Sequence, residues 1–263
     1  MRTKNVFLGK KRRCVVINDV VDLNVDNGIA KIQLIDRMAR NTFSKQLIQG
    51  LNNVFQQVKN NTSIKVVIIY GYDNYFCCGG TQEELIDMAL GKVTFVELGF
   101  YRLLLDCEVP TIAAMQGHAI GGGLAFGCYA DFIILAEECI YSANFMKYGF
   151  TPGMGATYLL PKKFGEVVGN EMLYTADTYS GGVLKNKGIK VPVVKKTDVL
   201  AKALELAQQF IDKPLSALKL LKAHLTHEIK TNLPKIIQQE LAMHRITFVE
   251  PEVRMKIEEL FNQ

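Results

Sequence analysis

Two stretches of this chain share one unusual make-up: an unbroken apolar run, a glycine-rich turn, then residues at helical spacing. Lys65 to Tyr70 leads into Gly71 to Gly80, with a helical pattern over Glu83 to Leu90. Thr111 to Met115 leads into Gln116-Gly117-His118-Ala119-Ile120-Gly121-Gly122-Gly123, with the small-residue helix Leu124 to Tyr129 behind it. A strand that is apolar at every position is buried on both faces, which requires a sheet covered by helices. Phe132 to Ala136, after Asp131, supplies a third such strand. Strand, glycine turn, helix and strand in this order specify an α/β architecture.

Other segments fit around that frame. Cys14 to Val25 and Ile29 to Leu34 are rich in β-branched residues and flank Asp26-Asn27-Gly28, which predicts a hairpin. Leu47, Ile48, Leu51, Val54, Phe55 and Val58 recur at three- and four-residue spacing and predict an amphipathic helix. A further helical stretch is expected over Phe95 to Cys107. From about Leu200 the pattern is helical throughout, interrupted by Pro214, Pro234 and Pro251. Three regions follow: a basic arm over 1–13, an α/β core over 14–199 and a helical region over 200–263.

Composition narrows the function classes. The chain has 263 residues, 49% of them hydrophobic and 22% charged, which is ordinary for a globular protein with a sizeable core. Val66 to Tyr70, its longest strongly apolar run, falls far short of the roughly 20 residues that span a bilayer. The N-terminus offers no signal-peptide pattern, so a cytoplasmic protein is expected. Of 31 basic residues six lie in the first thirteen positions, where there is no acid, and the remainder is near neutral with 25 basic against 26 acidic. The net charge of +5 therefore belongs to a tail rather than to a nucleic-acid-binding face. Cys14, Cys77, Cys78, Cys107, Cys128 and Cys139 show no C-x-x-C spacing and predict reduced thiols, neither a disulfide framework nor a zinc site.

The glycine turns are not nucleotide loops. Starting from Gly121, the sixth position of G-x-G-x-x-G is Phe126, and Lys92 after Gly91 lacks both the earlier glycine and the following hydroxyl of a phosphate-binding lysine loop. His224 and His227 reverse the H-E-x-x-H order and are expected on a solvated helix face. Cys78-Gly79-Gly80 and Gly121-Gly122-Gly123 each follow a buried strand and precede a helix, so each presents unpaired backbone N–H groups. Converging, they would form an oxyanion hole. The alternative is that both clusters serve only tight turns and close helix–sheet packing.

Asp36-Arg37 with Asn41-Thr42-Phe43-Ser44, Phe76-Cys77-Cys78-Gly79-Gly80, Ala113 through Gly123, and Gly149-Phe150-Thr151-Pro152-Gly153-Met154-Gly155-Ala156-Thr157 occur in an order that resembles the crotonase (enoyl-CoA hydratase/isomerase) superfamily. The resemblance implies a crotonase-like spiral of ββα units, a helical C-terminal region that builds homotrimers or hexamers, and a thioester substrate. By position it assigns the oxyanion-hole amides to Gly80 and Gly122. Hydratases of the superfamily carry two glutamates, which here correspond to Ala125 and Phe145, both expected to line the pocket. Neither residue transfers protons, so water addition lacks its acid and base. Decarboxylation needs no base, because departing CO2 leaves its electron pair on carbon.

Tyr72-Asp73-Asn74-Tyr75-Phe76, Ala143 through Gly155 and Gln239-Glu240-Leu241-Ala242-Met243-His244 further resemble the decarboxylating members of polyketide β-branching cassettes. That resemblance implies conversion of a 3-methylglutaconyl thioester to 3-methylcrotonyl on the phosphopantetheine of an acyl carrier protein, without metal, nucleotide or flavin. It assigns His244 as proton donor. Lys92, the one lysine between Lys65 and Lys147, is assigned to the departing carboxylate. Two rivals stand beside this reading: a dehydratase or double-bond isomerase of acyl thioesters, and a non-catalytic module that binds a carrier protein or RNA through its basic arm.

Overall fold

In the computed structural model, which describes residues 15–18, 20–97 and 99–261, two sheets share the strands. The larger has the order β1 (Val15–Asn18), β2 (Val21–Asp26), β3 (Ile29–Leu34), β4 (Val66–Tyr70), β6 (Thr111–Met115), β8 (Phe132–Ala136) and β11 (Val193–Val194). The smaller has the order β10 (Thr178–Ser180), β9 (Ile140–Ser142), β7 (His118–Ile120) and β5 (Tyr75–Cys77). The first three strands pair antiparallel, and β3, β4, β6, β8 and β11 run parallel. Each of the pairs β4/β5, β6/β7 and β8/β9 gives one strand to each sheet before the chain passes into helix. That alternation is the expected ββα spiral.

The helices are α1 (Lys45–Asn60), α2 (Gln82–Ala89), α3 (Leu103–Asp106), α4 (Gly122–Cys128), α5 (Ala156–Phe164), α6 (Glu166–Thr175), α7 (Gly181–Asn186), α8 (Val199–Gln208), α9 (Leu215–Leu225), α10 (His227–Thr247) and α11 (Pro251–Phe261). Helix α1 buries Leu47, Leu51, Val54, Phe55 and Val58 and half-buries Ile48, the stripe its spacing predicts, and starts where Ser44 Oγ accepts the Leu47 N–H at 3.1 Å. Helix α8 lies across β4, β6 and β8, so the core continues past residue 200 without a break. Among the described residues no helix is long and apolar enough to cross a membrane.

Several expectations change. The strand foreseen over Cys14 to Val25 is two, β1 and β2, paired antiparallel, while Cys14 and the arm over 1–13 lie outside the described residues. No continuous helix spans Phe95 to Cys107. Gly99 takes φ +66°, and only a 3₁₀ turn over Phe100–Arg102 and the single turn of α3 follow. The spacing there arose because Phe95, Phe100, Tyr101, Leu104 and Leu105 all reach the core. Pro234 does not interrupt α10; it sits on the exposed side, where the carbonyl it leaves unpaired can be hydrated, while Leu233 and Ile237 anchor the helix. The exposed His224 and His227 fall on α9 and α10, not on one helix. The five described cysteines are free, and no group of described residues is placed to hold a metal ion.

Candidate active site

The two glycine turns pack into one another. Gly79 has φ +80°, and a Cβ there would lie 2.8 Å from the Ile120 carbonyl oxygen and 3.2 Å from the Gly122 nitrogen. A Cβ on Gly123 would come within 2.1 Å of the Cys77 carbonyl oxygen. Side chains at either position would force the turns apart. Asn41, fully buried, fixes the first turn from the other side: its Nδ2 donates to the Leu34 and Phe76 carbonyls, each at 3.0 Å, and its Oδ1 accepts the Asp36 N–H at 2.8 Å. The Phe43 N–H donates to the Gly79 carbonyl at 2.8 Å.

Gly80 and Gly122 thereby line one cavity of about 620 Å³. Gly122 opens α4, where the N–H has no acceptor within the helix, and Gly80 immediately precedes Thr81, the N-cap of α2. Among the described residues neither amide has an acceptor. The wall facing them is apolar, built from Phe43, Phe145, Phe150, Met154 and Phe248. Phe145 lies on it, packed edge-on against Phe150 at 6.2 Å. Ala125 does not reach the cavity surface, because it is fully buried within α4.

His244 reaches the same cavity from α10. Its Nε2 lies 2.8 Å from the Thr151 carbonyl, which only accepts, so Nε2 carries a hydrogen and Nδ1 is bare when the ring is neutral. The rings of Phe248, Phe95 and Phe150 meet it edge-on at 4.9, 5.5 and 6.1 Å. This apolar cage pushes the imidazole below its ordinary range by desolvation, against a smaller upward pull from the Thr151 and Pro152 carbonyls.

Lys92 is elsewhere. Its side chain is 62% exposed, its Nζ pairs with Asp87 Oδ1 at 2.8 Å, and it does not line the cavity. The segment that carries it runs between Gly91 at φ +68° and Gly99 at φ +66°, both with open space around them, and sends Phe95 into the cavity wall.

Further polar and aromatic residues on the wall, Cys78, Glu84, His118 and Phe261 among them, carry no role assigned from the sequence. Cys78 opens the first turn, and burial pushes its thiol up to about 11, so it is no thiolate at neutral pH. Glu84 is committed to a capping box: its Oε2 accepts the Thr81 N–H while Thr81 Oγ1 accepts the Glu84 N–H, each at 3.1 Å. The Nδ1 of His118 accepts the Ile140 N–H at 3.0 Å. Phe261 arrives from α11, which packs over α2. The capping box alone had a sequence signal, Thr81-Gln82-Glu83-Glu84.

The ββα spiral, with two paired glycine turns whose Gly80 and Gly122 meet at one cavity, points to the enoyl-CoA hydratase/isomerase family. Residues 24–261 match that family, and the chain belongs to it. It is 45% identical over 245 residues to the bacillaene synthase decarboxylase PksI of Bacillus subtilis (strain 168), covering 93% of this chain and 98% of that protein. Among solved structures it superposes with TM-score 0.91 and 45% identity on a chain from a dehydratase/decarboxylase enzyme couple involved in polyketide β-branching, over 93% of this chain and 100% of the other. The ECH2 decarboxylase domain of CurF from Lyngbya majuscula gives TM-score 0.88 and 42% identity at the same coverage.

Proposed function

We propose that this protein is a decarboxylase of polyketide β-branching, converting a 3-methylglutaconyl thioester on an acyl carrier protein to the 3-methylcrotonyl thioester. The observation that carries the reading is two acceptorless amides, of Gly80 and Gly122, beside an apolar wall in which Phe145 stands where a hydratase carries a glutamate; at the second glutamate position Ala125, buried behind the wall, offers no carboxylate either. The decarboxylases among its relatives support it. Glu84, a carboxylate on the wall, is tied into the cap of α2, which disfavours the dehydratase and isomerase alternatives.

The thioester carbonyl accepts from both amides. The bond between the γ-carbon and the carboxylate breaks, CO2 leaves, and the electron pair passes through the conjugated system to the thioester oxygen, where the amides hold the developing charge. The imidazolium of His244 then donates its Nδ1 proton to the γ-carbon, giving the conjugated product. Lys92 holds the departing carboxylate after the segment between Gly91 and Gly99 has turned its ammonium inward. Phe145 and Phe150 keep water from the intermediate and the product. The chemistry calls for no metal, nucleotide or flavin, and a CoA thioester can stand in for the carrier-bound acyl group. Exposed Leu220, Leu221 and Leu225 on α9 suit the expected trimer or hexamer contacts. The test is mass spectrometry of a 3-methylglutaconyl carrier-protein thioester before and after incubation: loss of one CO2 is the expected result, and an unchanged or merely hydrated acyl group overturns the reading.

A further inference from the structure

We propose that Glu240 is a positioning residue for His244, its buried carboxylate clamping α10 to the start of α5 so that the imidazole is held against the Thr151–Gly153 wall. The proposal rests on the decarboxylase reading for what His244 does, but not for where it sits. Glu240 is fully buried. Its Oε2 accepts the Gly155 N–H at 2.7 Å, and its Oε1 accepts the Thr157 N–H at 3.0 Å and the Thr157 hydroxyl at 2.6 Å. Gly155, the N-cap of α5, has no side chain to offer, so Glu240 supplies the missing cap from another helix.

Helical geometry makes this cap a ruler. Glu240, His244 and Thr247 stand four and three residues apart and therefore share one face of α10. All three grip the same strip of chain: Glu240 at Gly155 and Thr157, His244 at the Thr151 carbonyl, and Thr247 Oγ1 at the Thr151 N–H and hydroxyl at 3.3 and 3.2 Å. The strip is shaped to receive the ring, since a Cβ on Gly153 would lie 2.5 Å from His244 Cε1. Met154 at φ +59° and Gly155 at φ +75° then turn the chain so that both amides meet the carboxylate. Of these anchors Glu240 makes the short, charge-assisted bonds, and burial makes them costly to lose.

The groups facing His244 are Phe95, Phe150, Phe248 and the carbonyls of Thr151 and Pro152, and no charged side chain adds to the burial that lowers it. Tyr101 and Tyr129 are the titratable groups that feel Glu240. A displaced ring would hydrate, so its titration reports position independently of turnover.

The experiment compares Glu240→Gln and Thr157→Val with the wild type, using the full chain. Glutamine keeps the shape but turns an NH2 group toward one of the donors; valine removes the hydroxyl without touching α10. CO2 release gives kcat and KM, and NMR titration follows the His244 ring, identified among the four histidines by its loss in His244→Gln. The expected result for Glu240→Gln is a fall in kcat of about 10- to 100-fold, with KM within about twofold and the His244 titration moved up toward the ordinary histidine range. Thr157→Val should move both in the same direction by less, and it carries the test if Glu240→Gln does not fold. A folded variant with an unmoved His244 titration overturns the proposal, whatever its activity. Wild-type protein that releases no CO2 refutes the decarboxylase reading instead, and the titration still decides the role of Glu240.

Discussion

Gly122→Ala tests the oxyanion hole most directly, because the structure separates its effect from that of its neighbours. The φ of Gly122 is not in the left-handed region, so the backbone tolerates alanine. The new methyl would lie 2.8 Å from Met154 Sδ and from Phe43 Cε2, short by 0.6 Å of the 3.4 Å at which ordinary contact begins. Both obstacles are side chains on the cavity wall. They can shift at an overpacking cost of about 1–3 kcal/mol, which leaves a folded protein. The methyl and the displaced side chains then crowd the place where the proposed mechanism sets the thioester carbonyl against this amide, and if that contact is lost the expected cost is that of one oxyanion donor, about 2.7–4 kcal/mol, or a factor of about 100 to 1,000 in kcat. Gly123→Ala is the structural contrast: its methyl would lie 2.1 Å from a main-chain carbonyl oxygen, so the paired turns must open and folded yield should collapse. Gly182→Ala, whose methyl would meet nothing closer than 3.4 Å, is the neutral control. CO2 release at saturating substrate, with circular dichroism and Tm on the same preparations, reads all three. A folded Gly122→Ala protein with wild-type kcat would mean that this amide does not touch the reacting oxygen.

Lys92→Ala should slow decarboxylation far more than Lys147→Ala; equal losses in a CO2-release assay would remove Lys92 from the mechanism and with it the inward turn of its segment. Ala125→Glu with Phe145→Glu should lower Tm and impair decarboxylation without creating a hydratase, since a carboxylate at fully buried Ala125 must pay desolvation or take up a proton; undiminished CO2 release would place neither residue near the reacting centre. His244→Gln should abolish most product formation, and in the wild type kcat should rise as pH falls, because Nδ1 must be protonated to donate. Stability has the opposite slope. The His244 pKa is lowered on folding, so the unfolded chain binds the proton more readily; the contribution is fully present above about pH 6.5 and is lost as pH falls through the folded value. Urea titrations of wild type and His244→Gln across pH 5–8 should differ by that slope, and parallel curves would contradict the burial argument.

What the sequence revealed depended on the range over which each signal acts. The continuous apolar strands β4, β6 and β8, the α1 stripe and the Asn27-Gly28 turn are local patterns, and they stand where expected. The smaller sheet escaped because its strands are three residues long, with no room for a period of two to show. Gly80, Gly122 and Phe145 share a cavity wall because the glycine turns are themselves the packing contacts, so their composition encodes their convergence. The placement of Lys92 carried no such encoding. Of the described residues between its two left-handed glycines only Phe95 is buried, and the Lys92 ammonium pairs locally with Asp87.

The position of His244 shows why a site residue can be legible while its support is not. A histidine in a helical pattern says nothing about what holds it, and Glu240 four residues earlier looks like any helical glutamate until the fold buries it. Burial inverts its meaning. An exposed glutamate on α10 would be worth a few tenths of a kcal/mol, whereas this one is buried with three donors on its oxygens. Removing an acceptor from buried donors costs about 1–3 kcal/mol for each group left unpaired. That is enough to matter for a helix whose other polar holds on the strip are a single imidazole contact and one threonine pair. The C-terminal helices are therefore part of the cavity's construction: they deliver His244, Phe248 and Phe261 to a wall that the spiral leaves open, and the carboxylate of Glu240 sets the register at which they do so.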